Sequence, residues 1–344
     1  MKHLSLLFAA VALLFSCQNP SAPLPRAKAS ARIEQAFDSY LKAVADSAVE
    51  MHSIIVVQNC KVLAEKQFAP DTAHIMNSVS KTFTSTAVGF AVHEGLLQLD
   101  DKIVDLFPDS VPENASDTLR RVTLRHLLTM NSGHAIDPTH YAHSDDGDWI
   151  RAFMEWPLKY EPGTCFCYNS LGTYLLSAAV QKVTGEKIVD YLEPRLWKPL
   201  GIEKPHWLES PAGINTGGWG LYLKTEDMAR MGLCILNGGK FRGRQVIPAD
   251  WVSQMGARQV SCCPAGLNEE KLKELGLDPS LSDWLQGYGF QMWRCRHNAF
   301  RADGANGQYI LILPDQNAVI ATTAYVKDMQ KELNLIWDNL LPAL

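Results

Sequence analysis

The sequence has no G-x-S-x-G elbow and no H-E-x-x-H pair. That excludes the strand–serine–helix nucleophile turn and the two-histidine zinc helix. It has no basic stripe either: 32 Lys and Arg stand against 37 Asp and Glu, a net charge of −5. A nucleic-acid partner is therefore not expected, because such proteins gather positive charge on one face. Neither Cys165-x-Cys167 nor Cys262-Cys263 has zinc-knuckle spacing, and no metal or cofactor is expected. There is no internal repeat and no long low-complexity tract. What the chain does have is bulk, with 47% hydrophobic residues among 344, enough to bury a large core.

The N-terminus stands apart. "MKHLSLLFAAVALLFSC" has a basic start, Lys2 and His3, and an apolar run from Leu4 to Phe15 that is too short to cross a bilayer. This is the design of a secretory signal. Leu14, Phe15 and Ser16 lead into Cys17, so residues 1–17 resemble a bacterial lipoprotein signal. The resemblance implies lipidation at Cys17, a membrane anchor there, and a cell-envelope location as a periplasmic or outer-membrane lipoprotein. Cleavage to a soluble form is the alternative. Residues 18–30, "QNPSAPLPRAKAS", are rich in Pro, Ser and Ala and read as a flexible linker. With Cys17 lipidated, seven cysteines remain: Cys60, Cys165, Cys167, Cys234, Cys262, Cys263 and Cys295. At least one is then unpaired, and buried or disulfide-linked states are expected for most.

From Arg32 to Val49 the apolar residues Ile33, Ala36, Phe37, Tyr40, Leu41 and Val44 keep the rhythm of an amphipathic helix. "HSIIVVQ" and "KVLAEKQF" read as strands joined by the turn "NC". A helix is expected over Val79 to Glu94, stopped at Gly95. Helical patterns dominate Thr123 to about Leu200, and "TEDMARMGLCILNGG" forms another helix. "GYGFQMWR", "GQYILILP" and "AVIATTA" are strand-like, with the turn "PDQN" between the last two, and a helix closes the chain from Met329 to Leu341. Strands at both ends with helices between them predict one discontinuous α/β (α+β) unit over 31–344, its sheet built from both termini and a helical lobe inserted around 96–215. A ligand cleft is expected where the lobes meet.

"IMNSVSKTF", Ile75 to Phe83, offers two serines and a lysine. Residues three apart share a helix face and adjacent ones do not, so Ser78 pairs with Lys81 and Ser80 points elsewhere. Alone this is a weak signal, because roughly one S-x-x-K is expected by chance in such a chain. Ser39 to Lys42, "SYLK", has the same spacing inside the first helix, and there it is incidental. An N-cap serine beside a solvated lysine would explain Ser78 equally well.

Ordered segments elsewhere change the balance. "VSKTFTSTAVGFAVHEGLLQLDDKIVDLFP", "LRHLLTMNSGH", "PGTCFCYNS", "GGWGLYLKTEDMARMG" and "FRADGANGQYILILP" follow one another. Together they resemble the serine β-lactamase-like hydrolases of the class C type: class C β-lactamases, D-alanyl-D-alanine carboxypeptidases, esterases and nylon-oligomer hydrolases. The resemblance runs from about residue 31 to the C-terminus. It implies the β-lactamase/penicillin-binding transpeptidase-like fold, an antiparallel sheet flanked by helices. It also implies Ser78 as nucleophile, Lys81 and Tyr168 as the bases, and an oxyanion hole from the N–H groups of Ser78 and Ala305. The family's Y-x-N falls on Tyr168, Asn169 and Ser170, with Ser170 where the terminal Asn stands in relatives. The third motif falls on Ala302, Asp303 and Gly304, lacking its basic first residue; Arg301, His297 or Arg296 are the candidates to replace that charge. Substrate contacts are thus expected from Asn169, Ser170, Asp303, Gly304, Arg301 and His297. An apolar acyl pocket could draw on Trp149, Trp156, Trp207 and Trp219, residue types that more often fill cores.

A serine hydroxyl attacks only when a base takes its proton. Burial lowers a lysine's pKa, and a nearby cation lowers a tyrosine's. The expected function is hydrolysis of a small-molecule ester or amide, or of a peptidoglycan-derived substrate, through an acyl-enzyme. The two departures rank a carboxylesterase or small-amide hydrolase above a D-amino-acid peptidase, and a β-lactamase last. A penicillin-binding or cell-wall-sensing module that never turns over is the competing reading.

Overall fold

The computed structural model describes residues 19–47, 49–141, 147–262 and 269–344. The signal segment with its Cys17, and Cys263, lie outside the described residues. Helix α1, Ala31–Asp46, starts at Ser30, whose hydroxyl accepts the Ile33 N–H, and buries Ile33, Phe37, Tyr40 and Val44. Strands β1, Glu50–Gln58, and β2, Lys61–Gln67, form a hairpin whose turn residues Asn59 and Cys60 both have positive φ, 51° and 60°. That is the primed turn whose twist suits two adjacent strands.

Helix α2, Ser80–His93, is buried along nearly its whole length. It packs against α3, Ser170–Thr184, and both lie among shorter helices at Leu124–Leu128, Trp149–Glu155 and Ile188–Leu192. Helix α4, Thr225–Leu236, returns the chain to the sheet. Strands β3, Trp293–Arg294, β4, Phe300–Gly304, β5, Gln308–Leu313, and β6, Ala318–Tyr325, complete it before helix α5, Met329–Asn339. The sheet order is β2-β1-β6-β5-β4-β3, every neighbour antiparallel.

Both faces are covered. Ile55, Val57, Ile310, Ile312, Val319 and Ala321 face α2, α4 and the helical lobe. Ile54, Val56, Leu311, Leu313, Ala318 and Ile320 face α1 and α5. The continuous apolar runs of β1 and β6 follow from this, since a strand buried on both sides needs no alternation.

The expected linker is a correction. From Asn19 onward it is packed, not loose. Arg26 bridges to Val62 beside the outer strand β2, where Ala27 N–H donates to Val62 O and Val62 N–H to Pro25 O. The Leu24 side chain is buried, its N–H donates to Glu226, and Arg230 donates to the carbonyls of Pro20 and Ala22. The segment covers an edge that would otherwise offer unpaired backbone groups. Pro, Ser and Ala describe its composition but not the α4 side chains waiting for it. Cys60, Cys165, Cys167, Cys234 and Cys295 are free thiols.

Candidate active site

Ser78 does not open the long helix. It sits one step earlier, in a 3₁₀ turn, Asn77–Val79, that feeds into α2. Asn77 holds a left-handed φ of 46°, costly for a residue with a Cβ, and its Nδ2 donates to Ala305 O at 2.8 Å. One side chain thus ties the serine turn to the end of β4. Ser80 is spent locally: its hydroxyl donates to Asn77 O at 2.6 Å and accepts the Leu221 N–H at 3.2 Å. The look-alike pair is as incidental as expected, with Ser39 exposed and Lys42 paired to Asp46.

The Lys81 amine is almost wholly buried, 1% exposed, and has three partners: Ser78 Oγ at 3.0 Å, Ser170 Oγ at 3.0 Å and Gly218 O at 2.8 Å. Burial pushes its pKa down from 10.5 to about 7, and the carboxylates of Asp137 and Asp303 pull back only part of the way. A carbonyl can only accept. A neutral amine that gives its two hydrogens to Gly218 O and Ser170 Oγ therefore turns its lone pair toward Ser78.

The Gly217-Gly218 pair was not foreseen as part of the site. Gly217 takes φ 66°, and a Cβ on Gly218 would lie 2.9 Å from Ser170 O and 3.4 Å from Lys81 Nζ. The doubled glycine in "GGWG" was the available signal, marking a close backbone approach. Asp137 was missed as well. Its carboxylate accepts the Ser170 N–H at 3.2 Å and the Thr139 N–H at 3.0 Å, from a loop with no motif to announce it.

Tyr168 reaches the same serine, its hydroxyl interacting with Ser78. Lys81 Nζ lies 4.9 Å from the ring centroid, and the ring stacks on Trp293 at 5.4 Å. The phenol is not lowered by a cation as expected: burial raises it well above its usual range, and the bond to Ser78 only partly offsets this. At neutral pH the phenol keeps its proton while the amine is ready to take one.

Other expected contacts separate. Ser170 is in the site, on Lys81. Asn169 is not: its side chain is buried, caps α3 by accepting the Gly172 N–H at 2.9 Å, and turns its Nδ2 to His134. Gly304 lies against the serine turn so closely that a Cβ would fall 2.4 Å from Met76 O. Ala305 is exposed at the turn beyond it. Asp303 stands near both Lys81 and Tyr168.

None of the three candidates replaces the missing base of the third motif. Arg301 is fully buried and donates to Asp303 at 2.7 Å, Asp283 O at 2.9 Å and Cys295 Sγ at 3.0 Å. Arg296 is paired with the buried Asp283 at 2.9 Å. His297, exposed at the β3–β4 turn, packs on Trp337 of α5, on the far side of the sheet. Trp149 and Trp207 are core, and Trp219 stacks on Trp149. The aromatic cluster packed around Tyr168 is instead Phe166, Tyr288 and Trp293.

Comparison with known proteins identifies the family and the fold. The family model described as Beta-lactamase matches residues 37–339. The chain is similar to a 6-aminohexanoate-dimer hydrolase of Paenarthrobacter ureafaciens, 27% identical over 78% of this chain and 71% of that protein. It is also similar to Esterase EstB of Burkholderia gladioli, 27% identical over 52% of each. A penicillin-binding protein homologue from Caulobacter crescentus has the same fold, with a TM-score of 0.68 over 91% of this chain and 99% of that one at 15% identity. The chain belongs to the Beta-lactamase family, as a serine hydrolase of the fold its sheet, helical lobe and S-x-x-K turn build.

Proposed function

We propose that the protein hydrolyses uncharged esters or small amides through an acyl-enzyme on Ser78. The observation that carries this is the Lys81 amine, buried, 3.0 Å from Ser78 Oγ and with a pKa near 7. Lys81 takes the serine proton as Oγ attacks the carbonyl. The Ser78 and Ala305 N–H groups receive the oxyanion, a role supported by the Asn77 bond to the Ala305 carbonyl, which ties that residue to the serine turn. Tyr168, protonated and beside Oγ, hands a proton to the leaving group, and Lys81, next to the phenol ring, returns one to it. The reverse transfers then activate the water that frees the acyl group.

Charge supports the substrate class. β-Lactams and D-alanyl peptides carry a carboxylate, which needs a cation in the cleft. Here Arg301 is neutralised by Asp303, Arg296 by Asp283, and Asp137 adds negative charge beside Lys81. A like charge brought into such a site is repelled by several kcal/mol. On one preparation, p-nitrophenyl butyrate is expected to give a kcat/KM about a hundredfold or more above nitrocefin or a D-alanyl-D-alanine peptide. Faster hydrolysis of either anionic substrate would contradict the assignment. Permanent labelling of Ser78 by fluorescent penicillin without ester turnover would identify a sensor instead.

A further inference from the structure

The β4–β5 turn that carries Ala305 closes with Gly307 N–H donating to Gly304 O at 3.2 Å. Its three following carbonyls are each tied to a residue outside the turn. Ala305 O accepts from Asn77 Nδ2 at 2.8 Å, Asn306 O from the Val326 N–H at 3.1 Å, and Gly307 O from Thr322 Oγ1 at 3.1 Å. Thr322 Oγ1 also lies 2.9 Å from Oε1 of Glu332, a residue of α5.

These last two contacts cannot both draw on Thr322. A threonine hydroxyl owns one hydrogen, and the Gly307 carbonyl can only accept. An ionised Glu332 would compete for that hydrogen. A protonated Glu332 removes the conflict, because its O–H donates to Thr322 Oγ1 and Thr322 donates onward to Gly307 O.

The surroundings fit the neutral acid. Glu332 is 0% exposed, and its Oε2 has no partner among the described residues. The titratable groups that face it are Tyr40 from α1, Tyr309 from β5 and Asp303 from β4, none of them a cation. Burial accordingly holds the carboxyl well above its usual range. The acid also rests directly on the turn. Gly307 has φ 89°, and a Cβ there would fall 2.0 Å from Oε2, so only glycine fits both the conformation and the space.

We propose that Glu332, from the opposite side of the sheet to the catalytic serine, is a neutral positioning residue that fixes the oxyanion-binding turn through Thr322 and Gly307. This rests on the reading of Ala305 given above. Thr322→Val, nearly isosteric, cuts the relay. Its kcat for p-nitrophenyl butyrate is expected to fall about tenfold with KM within about twofold, because a displaced oxyanion donor acts on the transition state alone. Thr322→Ser, and Glu332→Gln whose amide N–H replaces the acid O–H, stay within about threefold of wild type. Glu332→Leu behaves as Thr322→Val does; if it fails to fold, Thr322→Val decides. Hydrogen exchange across residues 304–308 is read in parallel, and about tenfold faster exchange is expected in Thr322→Val than in wild type or Glu332→Gln. Wild-type kcat and wild-type exchange in folded Thr322→Val would overturn the inference, as would a Glu332→Gln as impaired as Thr322→Val. A wild type inert toward esters would sink the functional reading instead, and the exchange measurement would still judge the relay.

Discussion

Lys81→Met is expected to abolish turnover and, at pH 6, to make the protein harder to unfold. Methionine matches the lysine stem in length but carries no base. Loss of a general base typically costs two to four orders of magnitude, so a fall of about a thousandfold is expected in kcat/KM. The stability effect has the opposite sign because the amine is buried at a cost. Its pKa is about 7 in the folded protein against an ordinary 10.5. Between these values the unfolded chain holds a proton that the folded one lacks, so stability rises with pH across that window. Below pH 7 the folded protein carries the whole burden of a buried ammonium, on the order of 3–5 kcal/mol. Methionine removes it. Gly218 O and Ser170 Oγ then lose a donor, which costs about 1–3 kcal/mol. Taking the middle of these ranges, a net gain of about 2 kcal/mol remains at pH 6 and shrinks as pH rises toward 10. Thermal melts of both proteins at pH 6 and pH 9 read it. A variant less stable than wild type at pH 6 would mean the amine is not the burden described.

Ser78→Ala should have the larger effect on catalysis, about ten-thousandfold or more, since it removes the proposed nucleophile itself. Ser80→Ala is the informative contrast. The Ser80 hydroxyl joins Asn77 O to the Leu221 N–H inside the protein, so its loss should cost about 1–2 kcal/mol of stability and at most a few-fold in rate. Steady-state ester hydrolysis with matched melts separates the two. Comparable activity in Ser78→Ala and wild type would move the nucleophile elsewhere.

Much of this architecture was legible because its signals are local. Continuous apolar runs gave the central strands, and the expected helix at Val79 to Glu94 became Ser80–His93. Ser78, Lys81 and Tyr168 meet at one point, having been found through motif order. What stayed hidden depends on where a chain returns to, not on what it contains. β4 reads as a short mixed-polarity stretch, yet it is a buried strand because β3 and β5 flank it. Arg301 looked like a free cation, but its partners Asp303, Cys295 and the Asp283 carbonyl arrive through the fold. Asn169 looked like a substrate group because it neighbours Tyr168, whereas a residue just before a helix is better placed to cap it. Gly218 and Asp137 act through a carbonyl and a loop carboxylate, neither of which leaves a sequence pattern.

The most direct test follows the rate at which an uncharged fluorophosphonate captures the protein from pH 5 to pH 10, with the adduct located by peptide mass. The adduct should lie on Ser78, and the rate should climb about tenfold per pH unit before levelling above pH 7, as a base with that pKa loses its proton. An adduct on another residue, or a rate that keeps rising to pH 10 as an ordinary lysine or phenol would dictate, would contradict a buried, neutral Lys81 as the group that arms the serine.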